Sequence, residues 1–200
     1  MRISVVLAIS LMLSACSSTK SPGIQESESK KGGRSPDGRN DVAYYAGGCF
    51  WGVEHFLEKL DGVVSVDSGY MGGPGEAPTY KQVSSGNSGH LEAVRVIYDH
   101  SKISYRDITK RFFEIHDPTQ TDGQGPDLGA QYLSAVFYAS SDEREQAQSL
   151  IDLLTARDFK VATELKEVAK FWPAEDYHQD YYQRSGKQPY CHSPVNRFGE

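Results

Sequence analysis

Val42-Ala43-Tyr44-Tyr45-Ala46-Gly47-Gly48-Cys49-Phe50-Trp51-Gly52-Val53 is the stretch on which the reading of this sequence turns. Val42 to Ala46 is an apolar and aromatic run that predicts a short strand, and Gly47-Gly48 breaks it. Phe50, Val53, Leu57 and Leu60 then recur at helical spacing, which puts Cys49 on the first turn of a helix. Unpaired backbone N–H groups and the helix macrodipole at that end favour a thiolate. The two glycines let the backbone turn tightly and leave the sulfur reachable. A strand, a glycine turn and a helix that opens on a cysteine together present a nucleophile.

Outward from this unit the pattern keeps alternating. Gly62 closes the helix and Val63 to Ser68 predicts a second strand. Gly69 to Gly89 is rich in Gly, Pro, Asn and Ser and predicts a long functional loop, after which Leu91 to Tyr98 returns to strand composition. Ser104-x-x-Asp107 resembles a capping box opening a helix through Ile108, Phe112 and Ile115, stopped at Asp117-Pro118. A loop to about Gln131 leads to a strand from Ser134 to Ala139. Ser140-x-x-Glu143 then caps a helix with Ala147, Leu150, Ile151 and Leu154 on one face. A strand near Val161 to Val168 and an aromatic helix around Ala174 to Tyr182 complete the domain. Strands alternating with helices on one domain from about Asp41 to the end predict an α/β two-layer sandwich.

The ends and the bulk composition bound the function. Met1-Arg2 followed by the apolar run Ile3 to Ala15 has the layout of a secretory signal, and is too short to span a bilayer comfortably. It ends in Leu13-Ser14-Ala15-Cys16, which resembles the lipobox of bacterial lipoproteins. That resemblance implies removal of residues 1–15, lipid on the Cys16 thiol and acylation of its new amine, with the protein held at a membrane of the bacterial envelope. An ordinary cleaved signal is the plainer reading. Residues 16–40 are mostly Ser, Gly, Lys, Glu, Pro and Arg with Ile24 as the one aliphatic residue past Cys16, a solvated tether that buries too little to order itself. The 200 residues carry a formal net charge of −6, which argues against a nucleic-acid binder, and 12 Tyr and 8 Phe suffice for a compact core.

Three cysteines remain to be sorted. With Cys16 assigned to lipid, Cys49 and Cys191 are left in an export compartment, where a plain structural disulfide is one reading. The other is a fixed reactive thiol attacked by a second thiol on the Gly- and Pro-punctuated arm Ser185-Gly186-Lys187-Gln188-Pro189-Tyr190-Cys191, which is the logic of attack followed by resolution. His90-x-Glu92 has the form of a zinc-deaminase ligand pair, but no Pro-Cys-x-x-Cys follows, so no metal site is expected. The absence of Cys-x-x-Cys removes a thioredoxin-like motif. A Cys–His hydrolase and a binding lipoprotein stay open as alternatives; the first would form an acyl-enzyme and the second would keep its binding without Cys49.

Five ordered motifs then carry a resemblance: Gly47-Gly48-Cys49-Phe50-Trp51-Gly52, Gly69-Tyr70-Met71-Gly72-Gly73, Pro78-Thr79-Tyr80, Gly89-His90-Leu91-Glu92 and Gly125-Pro126-Asp127-Leu128-Gly129-Ala130-Gln131-Tyr132. The sequence resembles the A-type peptide methionine sulfoxide reductases over residues 41 to 182. The resemblance implies a two-layer α/β sandwich with a ferredoxin-like core and reduction of methionine S-sulfoxide, free or in peptides, with no bound cofactor or metal. It implies Cys49 as nucleophile, Glu92 as the acid that protonates the departing oxygen, Tyr80 and Tyr132 as phenols on that oxygen, and Asp127 in the same polar network. Phe50 and Trp51 match the wall that receives the substrate methyl group. Cys191 would condense with the Cys49 sulfenic acid to a disulfide that a thioredoxin-like protein reduces. The tail departs from the family pattern at Gln188-Pro189, where many members carry Asn-Gly. The simplest assembly is a tethered monomer repairing oxidised envelope proteins.

Overall fold

The computed structural model describes residues 40–199. The expected signal, the Cys16 lipidation site and nearly all of the tether lie outside them. Along the chain run strand β1 (Asp41–Gly47), helix α1 (Phe50–Leu57), β2 (Val63–Met71), α2 (Tyr80–Ser84), β3 (Leu91–Tyr98), α3 (Tyr105–Ile115), β4 (Gly123–Gln124) and β5 (Asp127–Leu128). A 3-10 turn (Ala130–Tyr132), β6 (Ser134–Tyr138), α4 (Ser141–Thr155), β7 (Glu164–Glu167), β8 (Trp172–Pro173) and α5 (Tyr181–Ser185) follow.

The main sheet has the order β7-β6-β1-β3-β2-β8, and β4 pairs with β5 in a separate hairpin. Within it, β1-α1-β2-β3-α3-β6 with β6 and β3 flanking β1 antiparallel is the split βαβ of a ferredoxin-like core, as the resemblance implies. β1 is buried on both faces, so its residues alternate between two clusters rather than between core and water. Ala43 and Tyr45 face the helices α1, α3 and α4, where Tyr45 stacks on Phe112 at 4.9 Å between ring centroids. Tyr44 and Ala46 face a smaller cluster with Met71, Ala93, Phe137 and Phe171, the last lying under the Arg95 guanidinium at 5.3 Å.

Both expected helix caps form: the Ser104 hydroxyl accepts from the Asp107 N–H at 3.1 Å, and that of Ser140 from the Glu143 N–H at 3.2 Å. Four expectations are corrected. α1 stops at Leu57, and Leu60 packs on the core from beyond the helix. The stretch after Ser68 is no plain loop: β2 continues to Met71 because Tyr70 and Met71 pair with Glu92 and Leu91 and are fully buried. Within the same stretch a capping box at Thr79 and Gln82 starts α2. No helix spans Ala174 to Tyr182; α5 begins at Tyr181, after Asp180 in a left-handed conformation. The side chains before it are pinned elsewhere. Glu175 accepts from the Tyr70 hydroxyl at 2.8 Å and the Tyr80 N–H at 2.9 Å, while the Gln179 amide clamps the Ser68 backbone. Beyond the arm 185–191, the end of the tail is seated. The Val195 N–H donates to Glu114 O, the Arg197 guanidinium to the carbonyls of Phe113 and Glu114, and Phe198 is buried in the core.

Candidate active site

β1 delivers the chain to Cys49, and the two glycines between strand and helix are required by close packing. A Cβ on Gly47 would lie 2.6 Å from the Phe112 ring, and one on Gly48 would lie 2.6 Å from Gln124 Cγ. Gly48 also has a φ of +92°, which favours glycine. Cys49 is the residue before the first turn of α1, and the Trp51 N–H points at its sulfur. The next N–H, of Phe50, donates to Glu92 Oε2 at 3.2 Å, so nucleophile and carboxyl are tied to one helix end.

Glu92 stands on β3 and is 2 % exposed. Burial is the main reason its carboxyl is pushed up to about 8, against the pull of the Phe50 N–H; the negative charge of Asp127 adds to the rise. At neutral pH this group is a protonated acid. Tyr80 opens α2 and Tyr132 closes the 3-10 turn, both half-buried. Burial and the facing charges of Glu92 and Asp127 raise both phenols, so each stays a hydrogen-bond donor.

Cys191 and Asp127 complete the cluster. The two sulfurs and an Asp127 carboxylate oxygen all lie within 4.8 Å of one another, and both cysteines are reduced. The thiols share a hydrogen bond. Through it, and through burial and the charge of Glu92, Cys49 is held well above the ordinary thiol range, while the same bond and His192 draw Cys191 down. The Trp51 N–H pulls toward a thiolate, as expected of the helix end, but Cys191, burial and Glu92 outweigh it. The tail is fixed here too, since the Tyr190 hydroxyl lies 2.9 Å from each Asp127 carboxylate oxygen. The hydrogen-bond partner of Asp127 is thus the tail, a contact that the resemblance did not imply.

Phe50 is buried in the main core, with ring centroids 5.9 Å from Tyr70 and 5.0 Å from His178. Trp51 is half-buried, lies flat on Tyr181 at 3.8 Å, and donates its indole N–H to His178 Nδ1 at 3.2 Å. His178, given no chemistry from the sequence, thus sets the plane of Trp51 and packs on Phe50 and Tyr80. Burial lowers its pKa, and a neutral ring that accepts at Nδ1 carries its proton on Nε2. His90 is no partner of Glu92 in a metal pair: its Nδ1 accepts from the Gly73 N–H and its Nε2 lies 3.1 Å from Gly75 O, so both nitrogens hold the loop after β2. Sequence reasoning also missed His192, whose contacts span 145 positions to Gly47.

Together the apolar wall, the two phenols, the protonated carboxyl and the two adjacent thiols have the chemistry that removing an oxygen from a sulfoxide requires. The family model described as peptide methionine sulfoxide reductase matches residues 41–200. A peptide methionine sulfoxide reductase MsrA of Natronomonas pharaonis is 46% identical over 153 residues, covering 75% of this chain and 86% of the relative. Among solved structures, reduced Mxr1 from Saccharomyces cerevisiae is similar at a TM-score of 0.74 and 32% identity, covering 80% of this chain and 94% of that one. Mxr1 in complex with Trx2 shares the fold at a TM-score of 0.55 and 24% identity, over 80% of this chain and 92% of that one. With the site's geometry and these likenesses together, the chain belongs to the peptide methionine sulfoxide reductase family and is an A-type enzyme that reduces methionine sulfoxide.

Proposed function

We propose that the substrate is the S epimer of methionine sulfoxide, free and in proteins, and that Cys49 and Glu92 perform the chemistry. The observation that carries this reading is the buried carboxyl of Glu92, held protonated to about pH 8 and tied to the N–H of the residue next to the nucleophile. The sulfoxide takes the place of the Cys191 thiol against Cys49. As the Cys49 sulfur bonds to the sulfoxide sulfur, the Glu92 proton passes to the oxygen, and the proton of the Cys49 thiol restores the carboxyl. The hydroxyl then passes from the substrate sulfur to the Cys49 sulfur as the S–S and substrate S–O bonds break, so that methionine leaves and Cys49 is left as a sulfenic acid. Tyr80, Tyr132 and Asp127 form the polar side that holds the oxygen, and Phe50 and Trp51 the apolar side that holds the methyl group.

Cys191 then attacks the sulfenic sulfur and a disulfide forms, its proximity to Cys49 being the support for this step. A thioredoxin-like dithiol protein is the proposed reductant, as the complex of yeast Mxr1 with Trx2 suggests by analogy, and no bound cofactor is required. Residues 1–15 are proposed as a lipoprotein signal and Cys16 as the acylated anchor of a monomer at the bacterial envelope, on the strength of Leu13-Ser14-Ala15-Cys16.

Dithiothreitol-driven reduction of separated S and R epimers of a methionine sulfoxide peptide tests the reading. Loss of the S epimer alone is expected; loss of the R epimer at an equal rate would overturn the stereochemical assignment. Run on cell fractions, the same assay reads the anchor: activity sediments with membranes and becomes soluble in Cys16→Ser. Soluble activity in both would remove the lipid.

A further inference from the structure

His192 follows the resolving cysteine, is 5 % exposed and lies inside the Cys49 motif. Its Nε2 is 2.7 Å from Gly47 O, an acceptor only, so Nε2 carries a hydrogen. Its Nδ1 is 3.0 Å from Cys191 Sγ. In a neutral ring fixed this way Nδ1 is a bare lone pair, and the Cys191 thiol is the donor to it. The ring is placed by the backbone of the catalytic motif. A Cβ on Gly52 would lie 2.8 Å from His192 Cγ, and one on Gly48 would lie 3.5 Å from its Cε1, so the glycines form its seat.

We propose that His192 is the general base of the resolving step, taking the Cys191 proton at Nδ1 as that sulfur attacks the Cys49 sulfenic acid. This rests on the reading of Cys191 as the resolving thiol. The Cys191 sulfur forms the S–S bond with its electron pair, the Cys49 S–O bond breaks, and hydroxide departs as water. Sulfenic acid plus thiol thus becomes disulfide plus water, and the proton accepted at Nδ1 balances the one carried off by the water. The 3.0 Å separation of Cys191 Sγ from Nδ1 leaves no atom between the thiol and the ring that would take its proton. The Nε2–H bond to Gly47 O has a second effect: it holds the tail so that Cys191 and Cys49 face each other.

The titratable groups facing the pair are Cys49, Glu92, Asp127, Tyr182 and Tyr190, with His116 behind the ring. All are shared by wild type and a His192 variant, so the ratio of their rates isolates the imidazole. The test uses the full chain, oxidised with one equivalent of sulfoxide, and follows Cys49–Cys191 disulfide formation by acid quench and mass after methionine release. His192→Gln keeps a donor for Gly47 O and loses the base. It is expected to form the disulfide roughly a hundredfold more slowly near pH 7. The deficit should close as pH rises past about 8.5, where an unassisted thiol ionises. Equal rates across the range, or a deficit that persists unchanged at high pH, would overturn the base and leave a packing role only. The wild type gives a check without any variant. A wild-type rate that rises tenfold per pH unit all the way to about 8.5, as for an unassisted thiol, would overturn the proposal. Absence of any wild-type disulfide would instead remove Cys191 as the resolving thiol.

Discussion

Glu92 illustrates how burial, which opposes an ionised carboxylate, makes an acid at neutral pH. Water would leave this group ionised near 4.3; inside the sheet it holds its proton to about 8. Rates of sulfoxide reduction in single-turnover experiments should therefore be level through neutrality and fall as pH rises through about 8. Glu92→Gln should lower the rate by roughly 10²–10⁴-fold and abolish that alkaline limb. A variant running near the wild-type rate would remove Glu92 as the acid. At this scale the motif residues were legible before the structure: Cys49, Glu92, Tyr80, Tyr132, Asp127, Phe50 and Trp51 all converge on one end of α1 and β3. His178 and His192 were not, because an isolated histidine carries no pattern. Their roles come from contacts 127 and 145 positions away, with Trp51 and Gly47. The charge state of Cys49 was illegible for the same reason, since it depends on where Cys191 docks.

α1 connects the chemistry to the fold: its first turn holds Cys49 and Glu92, and its flank seats the tail. Alanine for glycine within a helix ordinarily stabilises by about 0.5–1 kcal/mol. At Gly52 the added methyl would instead collide with the His192 ring. Gly52→Ala is expected to keep its helical signal while releasing the tail, so that Cys191 reacts with iodoacetamide faster than in wild type. Unchanged alkylation would show that the ring does not rest on α1 in solution. Elements with a strong period and a cap, such as α3 and α4, were legible because local and tertiary preferences agree there. The segment from Ala174 to Asp180 was not, since its composition suits a helix while its side chains serve as struts. Glu175 and Gln179 bond to β2 and α2, and those bonds replace the ones a helix would have made. The end of β2 misled through glycine: Gly69 and Gly72 signal a loop, yet Gly69 lies where a Cβ would meet the Phe171 ring at 2.8 Å, inside a packed sheet.

The molecule as a whole carries buried titratable groups whose preferences oppose one another, and its stability must follow pH accordingly. Glu54 is 1 % exposed on α1, accepts from the Asp180 N–H at 3.2 Å, and is pushed by burial up to about 8, as Glu92 is. The unfolded chain gives up both protons near 4.3. From there to about 8 the folded state binds more protons than the unfolded one, so the stability these neutral carboxyls contribute is complete below that range and is lost as pH rises through it. His116 acts in the other direction. Burial holds it down to about 3, its Nδ1–H donating to Phe112 O and its Nε2 accepting from the Ser134 hydroxyl. Its contribution is complete above about 6.5 and is lost as pH falls toward 3. Below about 6.5 the lowered imidazoles of His116, His178, His90 and His55 oppose the carboxyls, and at neutral pH the drawn-down Cys191 thiol opposes them in part. Above about 6.5 the two carboxyls prevail, so the urea midpoint should decline from there to about 8. Glu54→Gln keeps an acceptor for the Asp180 N–H and has no proton to lose, so it should flatten the decline. If the midpoints of wild type and Glu54→Gln instead run parallel over this range, Glu54 ionises freely inside the fold, and burial on α1 does not hold its proton.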